Sequence, residues 1–381
     1  SSPAATRPAP GRSPPPFGAP SLRDAFQANK RLRTSSCMHR RHVPSTPTRI
    51  LDAPGLHDNF YLQLLDWGAC NLIAVGLDET AYLYAPETGS VTEILSAPPQ
   101  CYISSIGFDV SGTALAVGTS CGLVTVVDVG SENSVRPPLC VGHGRVTSLA
   151  WCSNVELTLG HEDGAITHHD MRIRNGGIVA VLQRHRGEVC GLKWSSDATP
   201  QLASGANDHL LRIYDARALS TPKLQLDAHK AAVKAVAWCP WRRNQLASGG
   251  GSADRFIRCW DTGSAEPALH AVDTGSQVSG LQWCPLQKEL VSSHGYSQNS
   301  VRVWRWPQLL PVAELTGHRG RVLHLTMSPD GSTAVSAAAD ETLRFWRLSS
   351  PGDGGGHGRA PPDQRQGLSI GCPRLQQSSI R

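Results

Sequence analysis

Long apolar runs are missing from this 381-residue chain: nothing approaches the ~18 consecutive apolar residues of a membrane helix, so no membrane partner is expected. The eleven cysteines include no C-x-x-C pair and lie scattered in apolar, strand-like contexts. That spacing excludes the common zinc and dithiol motifs and fits buried free thiols in a reducing compartment. There is no P-loop, and among dozens of Ser, His and Asp residues no triad motif and no G-x-S-x-G is read. The chain is therefore read as a non-enzyme with no cofactor and no metal. Pro and Arg interrupt any apolar region near the N-terminus, so no signal peptide is expected.

Positive charge is missing where a nucleic-acid binder needs it. Lys plus Arg outnumber Asp plus Glu by 9 to 1 in residues 1–50 and by 4 to 2 in 351–381, but fall short at 23 to 28 in 51–350. The basic run "NKRLRTSSCMHRR" carries no interleaved aromatics, so no nucleic-acid partner is expected. Seven of the first 20 residues are Pro and few are apolar. Such a segment cannot bury enough surface to offset the entropy of ordering; residues 1–45 are expected to form a disordered basic arm. The Gly-rich "GDGGGHG" at 352–358 lacks the strand and helix that frame a phosphate loop, and reads as a linker within a flexible tail, 350–381.

What is present is a repeat. The short alternating runs "TAYLYAP", "LVTVVDV", "AITHHDMR", "LLRIYDAR", "FIRCWDTG", "VRVWRWP" and "LRFWRLS" place Tyr84, Val127, His169, Tyr214, Trp260, Trp304 and Trp346 at spacings of 43, 42, 45, 46, 44 and 42. A second pattern opens the units: "GHGRVTSLAW", "RHRGEVCGLKW", "AHKAAVKAVAW", "TGSQVSGLQW" and "GHRGRVLHLTM". It begins with His143, His185, His229 and His318, and Gln277 is read as standing where a fifth His belongs. Asp163, Asp208, Asp254 and Asp340 precede the closing runs. This is the WD-repeat pattern, and it predicts an all-β fold, a seven-bladed propeller over residues 46–349. The recurrent His and Asp are expected to bond each other, because either one buried alone costs a few kcal/mol. The dense "HEDGAITHHDMR" invites a metal reading through His161, Asp163, His168, His169 and Asp170. On a strand, however, His168 and His169 face opposite ways, so no metal site is expected there. Ring closure sets the first blade beside the last, so residues near 52 and 341 should be neighbours.

Beyond the generic repeat, the words "PSTPTRILDAPGLHDNFYLQLLDW", "LASGGGSADRFIRCW", "DTGSQV", "HGYSQNSVRVW", "RVLHLTMSPDGS" and "AAADETLRFW" resemble the Fizzy family of activators of the anaphase-promoting complex, with a weak lean to the Fizzy over the Fizzy-related branch. The resemblance implies a substrate-recognition and activator subunit of that ubiquitin ligase, working in cytoplasm and nucleus. Implied partners are the complex's own subunits, degron-bearing substrates such as cyclins and securin, and spindle-checkpoint proteins. It further implies that Asp52 and Glu341 receive the Arg of a destruction box, and that Asn207, Ser252, Gln277 and Arg321 bind a KEN-type degron. The terminal Ile380 and Arg381 match the family's docking tail.

Some positions depart from the family. Asn59 stands where an Asp is usual, with Asp58 one residue too early, and His209 replaces an Asn. The family's Asp-Arg-Tyr-Ile-Pro box has no match in residues 1–40. The alternative is a divergent propeller that binds peptides without engaging the ligase. Ser2, Ser13, Thr46 and Ser350 precede Pro and are candidate sites for proline-directed kinases.

Overall fold

The computed structural model describes residues 42–349 apart from 131–134, 136, 174–176 and 265–267. Most of the expected arm, and the tail with Ile380 and Arg381, lie outside the described residues. Seven four-stranded antiparallel sheets account for every named strand. Their innermost strands are β2 (Leu65–Trp67), β6 (Ile103–Phe108), β10 (Val146–Trp151), β14 (Val189–Trp194), β18 (Val233–Trp238), β22 (Val278–Cys284) and β26 (Val322–Met327). Each touches the next, and β26 touches β2, so the circuit closes. The seven residues aligned from sequence occupy one register: Ile73 pairs Tyr84, Leu115 pairs Val127, Leu157 pairs His169, Leu202 pairs Tyr214, Leu246 pairs Trp260, Leu290 pairs Trp304 and Ala334 pairs Trp346.

The repeat's small residues explain how the blades approach. A Cβ added at Gly205 would lie 2.9 Å from Val233 Cβ, and one at Gly249 would lie 2.7 Å from Val278 Cβ, each the first residue of the next inner strand. Only glycine admits a neighbouring strand at that range. From β6 to β26 the inner strands also carry a bulge after their first residue. The bulge turns Ser104, Thr147 and Ser279 toward the following blade, where their hydroxyls donate to the carbonyls of Val146, Val189 and Val322 at 2.6 Å. These bonds stitch blade to blade where apolar contact alone would leave the carbonyls unpaired.

The segment before the repeats closes the ring. β1 (Arg49–Asp52) pairs antiparallel with β28 (Thr342–Arg347), setting Arg49 against Phe345 and Asp52 against Thr342. It is therefore the outer strand of the last blade, although it precedes the first. One core cluster spans the junction, combining Leu62, Leu64 and Ile73 from one side with Val335, Leu343 and Phe345 from the other. Full burial of Leu62 and Leu64 contributes about 1.5–3 kcal/mol each. The packed body begins earlier than residue 46. Val43 is buried against Cys284, Trp346 and Leu348, where an apolar side chain gains more than it loses by ordering. The nine described cysteines form no disulfide with one another, but only Cys190, Cys239, Cys259 and Cys284 are buried, and Cys121 and Cys140 are exposed.

Candidate functional site

The repeat His and Asp form the expected pairs. His229 Nδ1 lies 2.7 Å from Asp254 and its Nε2 lies 2.7 Å from Ser248 Oγ, which also accepts from Trp260 Nε1. His318 repeats this with Asp340, Ser336 and Trp346, and His185 with Asp208 and Ser204. Burial alone would raise the Asp254 carboxyl, but bonds from His229 and Arg258 outweigh it and hold it well below the usual carboxylate range. These groups fasten turns to strands and have no spare capacity for chemistry.

One alignment from sequence is corrected. His185, His229 and His318 each stand four residues before the first Val of an inner strand, and in the β22 blade that place belongs to Thr274. Thr274 Oγ1 donates to the carbonyls of Arg255 and Ser276 at 2.9 and 2.8 Å. The missing imidazole is supplied from another strand, since His294 Nε2 lies 2.7 Å from Ser292 Oγ, the acceptor of Trp304 Nε1. Gln277 is level with Arg321 of the next blade, each directly preceding an inner strand, and among the described residues its side chain makes no bond of that kind.

The dense histidines go elsewhere than a metal. His168 Nδ1 bonds Thr158 Oγ1 at 2.8 Å, while His161 and His169 both bond Thr167 Oγ1 at 2.9 Å. Among the described residues no group of three or more His, Cys, Asp or Glu side chains is placed to hold an ion. Residues 118–122, Gly-Thr-Ser-Cys-Gly, do match the G-x-S-x-G pattern, which the sequence reading passed over. Ser120 sits in the tight turn between β7 (Ala114–Thr119) and β8 (Leu123–Asp128). Its Oγ accepts the Tyr102 amide at 3.0 Å, so the strand–turn–helix setting of a nucleophile is absent there.

In blades whose strands alternate direction, the turn between second and third strands and the link into the next blade emerge at one end. Every candidate degron-binding residue, all of them among the described residues, lies on that face. At the seam, the Ala53 amide donates to the Glu341 carbonyl at 2.7 Å, directly after the Asp52–Thr342 pair. This brings together the backbones of Asp52 and Glu341, as ring closure requires. Glu341 adopts a left-handed φ of 54° in the turn entering β28. Both side chains are exposed, and among the described residues neither carboxylate has a hydrogen-bond or ion-pair partner. The strand beneath is pinned by Arg49, whose Nη1 donates to the Pro86 carbonyl at 3.1 Å and to the Tyr84 hydroxyl, with its guanidinium 5.8 Å from the Phe345 ring.

The second group lies at the end of the ring where the inner strands begin, its mouth. Asn207 lies between β15 (Gln201–Ala206) and β16 (Leu211–Asp215), and Ser252 between β19 (Gln245–Gly250) and β20 (Phe256–Asp261). Gln277 and Arg321 immediately precede β22 and β26. The last two flank Gly295, where an added Cβ would fall 2.7 Å from Gln277 Oε1 and 3.6 Å from Arg321 Cβ. The Arg321 guanidinium lies 5.4 Å from the exposed Tyr296 ring. His209, the other departure from the family, holds a left-handed φ of 67°, a conformation that Asn and His tolerate better than most residues.

The loop of residues 53–64 leans over this mouth, and sequence reasoning missed how. Phe60 is buried 5.4 Å from the ammonium of Lys234, whose Nζ donates to the Leu323 carbonyl at 2.7 Å. Burial pushes that ammonium down to about 7. Asn59 Oδ1 accepts the Tyr61 amide at 2.9 Å, so this departure serves a local turn. Asp58 pairs with Arg321: its Oδ1 accepts from Nε and its carbonyl from Nη2 at 2.9 Å. Tyr61 Oη donates to Asn207 Oδ1 at 3.1 Å. Only a contact between residues 263 apart in sequence could reveal the Asp58 pair.

With this geometry in place, comparison with known proteins decides the lineage. Residues 51–346 match the CDC20/Fizzy WD40 domain. The chain belongs to that family. It is 47% identical over 312 residues to the anaphase-promoting complex subunit cdc20 of Dictyostelium discoideum, covering 81% of this chain and 61% of that one. It is 44% identical to cell division cycle 20.1, cofactor of APC complex, of Arabidopsis thaliana, covering 84% of this chain and 71% of the relative. The Arabidopsis protein FIZZY-RELATED 2 is 46% identical, covering 90% and 68%. Both branches thus stand at similar identity. The chain spans about three-fifths to seven-tenths of the length of these relatives. A chain in the crystal structure of the mitotic checkpoint complex matches with a TM-score of 0.78 at 38% identity, over 91% of this chain and 99% of that one.

Proposed function

We propose that this chain is a substrate-recognition and activator subunit of the anaphase-promoting complex, acting in cytoplasm and nucleus by recruitment and not by catalysis. Its propeller takes destruction-box peptides at the seam through Asp52 and Glu341, and KEN-type peptides at the mouth through Asn207, Ser252, Gln277 and Arg321. Its partners are subunits of the complex, degron-bearing substrates such as cyclins and securin, and spindle-checkpoint proteins, with Ile380 and Arg381 as the docking tail. The observation that carries the reading is the pair of carboxylates at the ring closure, held by backbone pairing, exposed, and unengaged among the described residues. Two carboxylates so placed suit an Arg side chain, which offers a fork of donors.

The test is binding of a labelled destruction-box peptide to the full chain. Asp52→Ala or Glu341→Ala should each weaken it by about 1.5–3 kcal/mol, the scale of a charge-assisted bond. Unchanged affinity in both variants removes the site. Reconstituted ubiquitination with this chain as sole activator then separates an activator from a propeller that binds peptides without engaging the ligase.

A further inference from the structure

The mouth is unusual in that the chain already occupies part of it. Arg321 is the cation that Gln277 and Tyr296 frame, and it has a carboxylate of its own in Asp58. Asp58 is not a loose surface side chain that happens to reach an arginine. Its loop is fixed on both sides, by burial of Leu56 and Phe60 and by the Asn59 amide donating to the His57 carbonyl at 2.8 Å. The contact is two-point, because Arg321 also bonds the Asp58 carbonyl at 2.9 Å. The same loop places the Tyr61 hydroxyl on Asn207. Two of the four mouth residues are thus met by one internal segment.

A guanidinium so engaged does not read a ligand as a free one would. A peptide carboxylate directed at Arg321 must exchange with the Asp58 carboxylate or share the cation with it at the cost of like-charge repulsion. A neutral carboxamide or hydroxyl suffers no such repulsion and can bond Gln277, Ser252 or the outer edge of the guanidinium while Asp58 stays. With the Asp58 and Arg321 side chains 48% and 20% exposed, the pair is screened enough to yield, so its effect is graded.

We propose that Asp58 is a specificity-determining residue of this surface, one that lowers its preference for peptides presenting a carboxylate to Arg321 relative to peptides presenting a neutral amide. This deepens the reading of the mouth as a degron site and rests on it. The neutral isostere Asp58→Asn keeps the carbonyl contact and the loop's shape while removing the competing charge.

The experiment uses the full chain, parent and Asp58→Asn, with three capped peptides. One contains Lys-Glu-Asn, one carries Lys-Gln-Asn in the same flanks, and one is a destruction box. In the parent the Glu and Gln peptides should bind within about twofold of each other. In Asp58→Asn the Glu peptide should gain about three- to tenfold, the range of an exposed to two-point charged contact. The Gln and destruction-box peptides should change less than twofold. Equal gain for Glu and Gln peptides, or no gain for either, overturns the inference and leaves the degron reading standing. Binding of neither KEN-type peptide to either form, with destruction-box binding intact, removes the degron reading of the mouth and the inference with it.

Discussion

The seam and the mouth share one face of the ring but differ in what holds them. At the seam the backbone does the positioning: β1 pairs with β28, and among the described residues the carboxylates of Asp52 and Glu341 have no partner. At the mouth the side chains hold the loop, with Asp58 on Arg321 and Tyr61 on Asn207. A site positioned by backbone can spend all its charge on a ligand, whereas one positioned by its own polar groups must exchange bonds to bind. The two should therefore respond differently to the same kinds of perturbation.

The largest contrast lies in the supports beneath them. Asp254 underlies the turn that carries Ser252; its side chain is 1% exposed and lies 2.7 Å from His229 and 2.6 Å from Arg258. Asp340 stands beside Glu341 with a 10% exposed side chain, 3.1 Å from His318 and 3.8 Å from Arg344. Removing the tighter anion strands a buried imidazole and a guanidinium. Asp254→Ala should cost about 3–5 kcal/mol of folding stability, and Asp340→Ala about 1.5–3 kcal/mol. Urea unfolding measures both, and an equal loss would deny that the mouth rests on the more deeply buried support.

Acid should probe the closing blade and the β22 blade before it. Burial pushes the His294 imidazole, in the β22 blade, down to about 3, and that of His318, in the closing blade, down to about 4. Each has a depressed folded value, so its contribution is intact above the unfolded value of 6.5 and is lost as pH falls toward the folded value. Between pH 7.5 and 5 the unfolded chain takes up protons that these groups refuse in the fold. Linkage gives a loss of about 2 kcal/mol at pH 5 from His294 alone. Urea midpoints across that range should fall with pH, and His294→Asn should flatten the slope even if it lowers stability at pH 7.5. A slope unchanged in the variant would assign the acid sensitivity to other groups.

Much of the fold could be read from sequence because it depends on local periodicity. The alternating runs and the 42- to 46-residue period fixed register as well as architecture, and the orphan "TRILDAP" could be assigned to the seam because a ring has to close. What could not be read depends on exchange between distant segments. Gln277 looked like a replaced histidine because the eye aligns by chemistry, whereas the chain aligns by strand register, which gives that place to Thr274 and returns the imidazole from His294. Asp58 looked one residue out of place for a ligand, and no local pattern shows that its partner is Arg321 across the closure.

The finest probe of the contrast is Tyr61, which reaches the mouth with a single hydroxyl. Its bond to Asn207 is exposed, neutral and 3.1 Å long, so its net worth is about 0.5–1 kcal/mol at most. Tyr61→Phe keeps the ring, leaves the Asn59 cap on the backbone amide in place and frees Asn207 Oδ1 for a ligand donor. If the loop competes with peptides at the mouth, this variant should raise the affinity of a KEN-type peptide by about twofold, with the destruction box unaffected. A drop in KEN-type affinity, measured by the same peptide titration, would mean that the hydroxyl orients Asn207 for the ligand. The loop would then be a supporting wall of the mouth at that point, and competition would be confined to the Asp58 carboxylate.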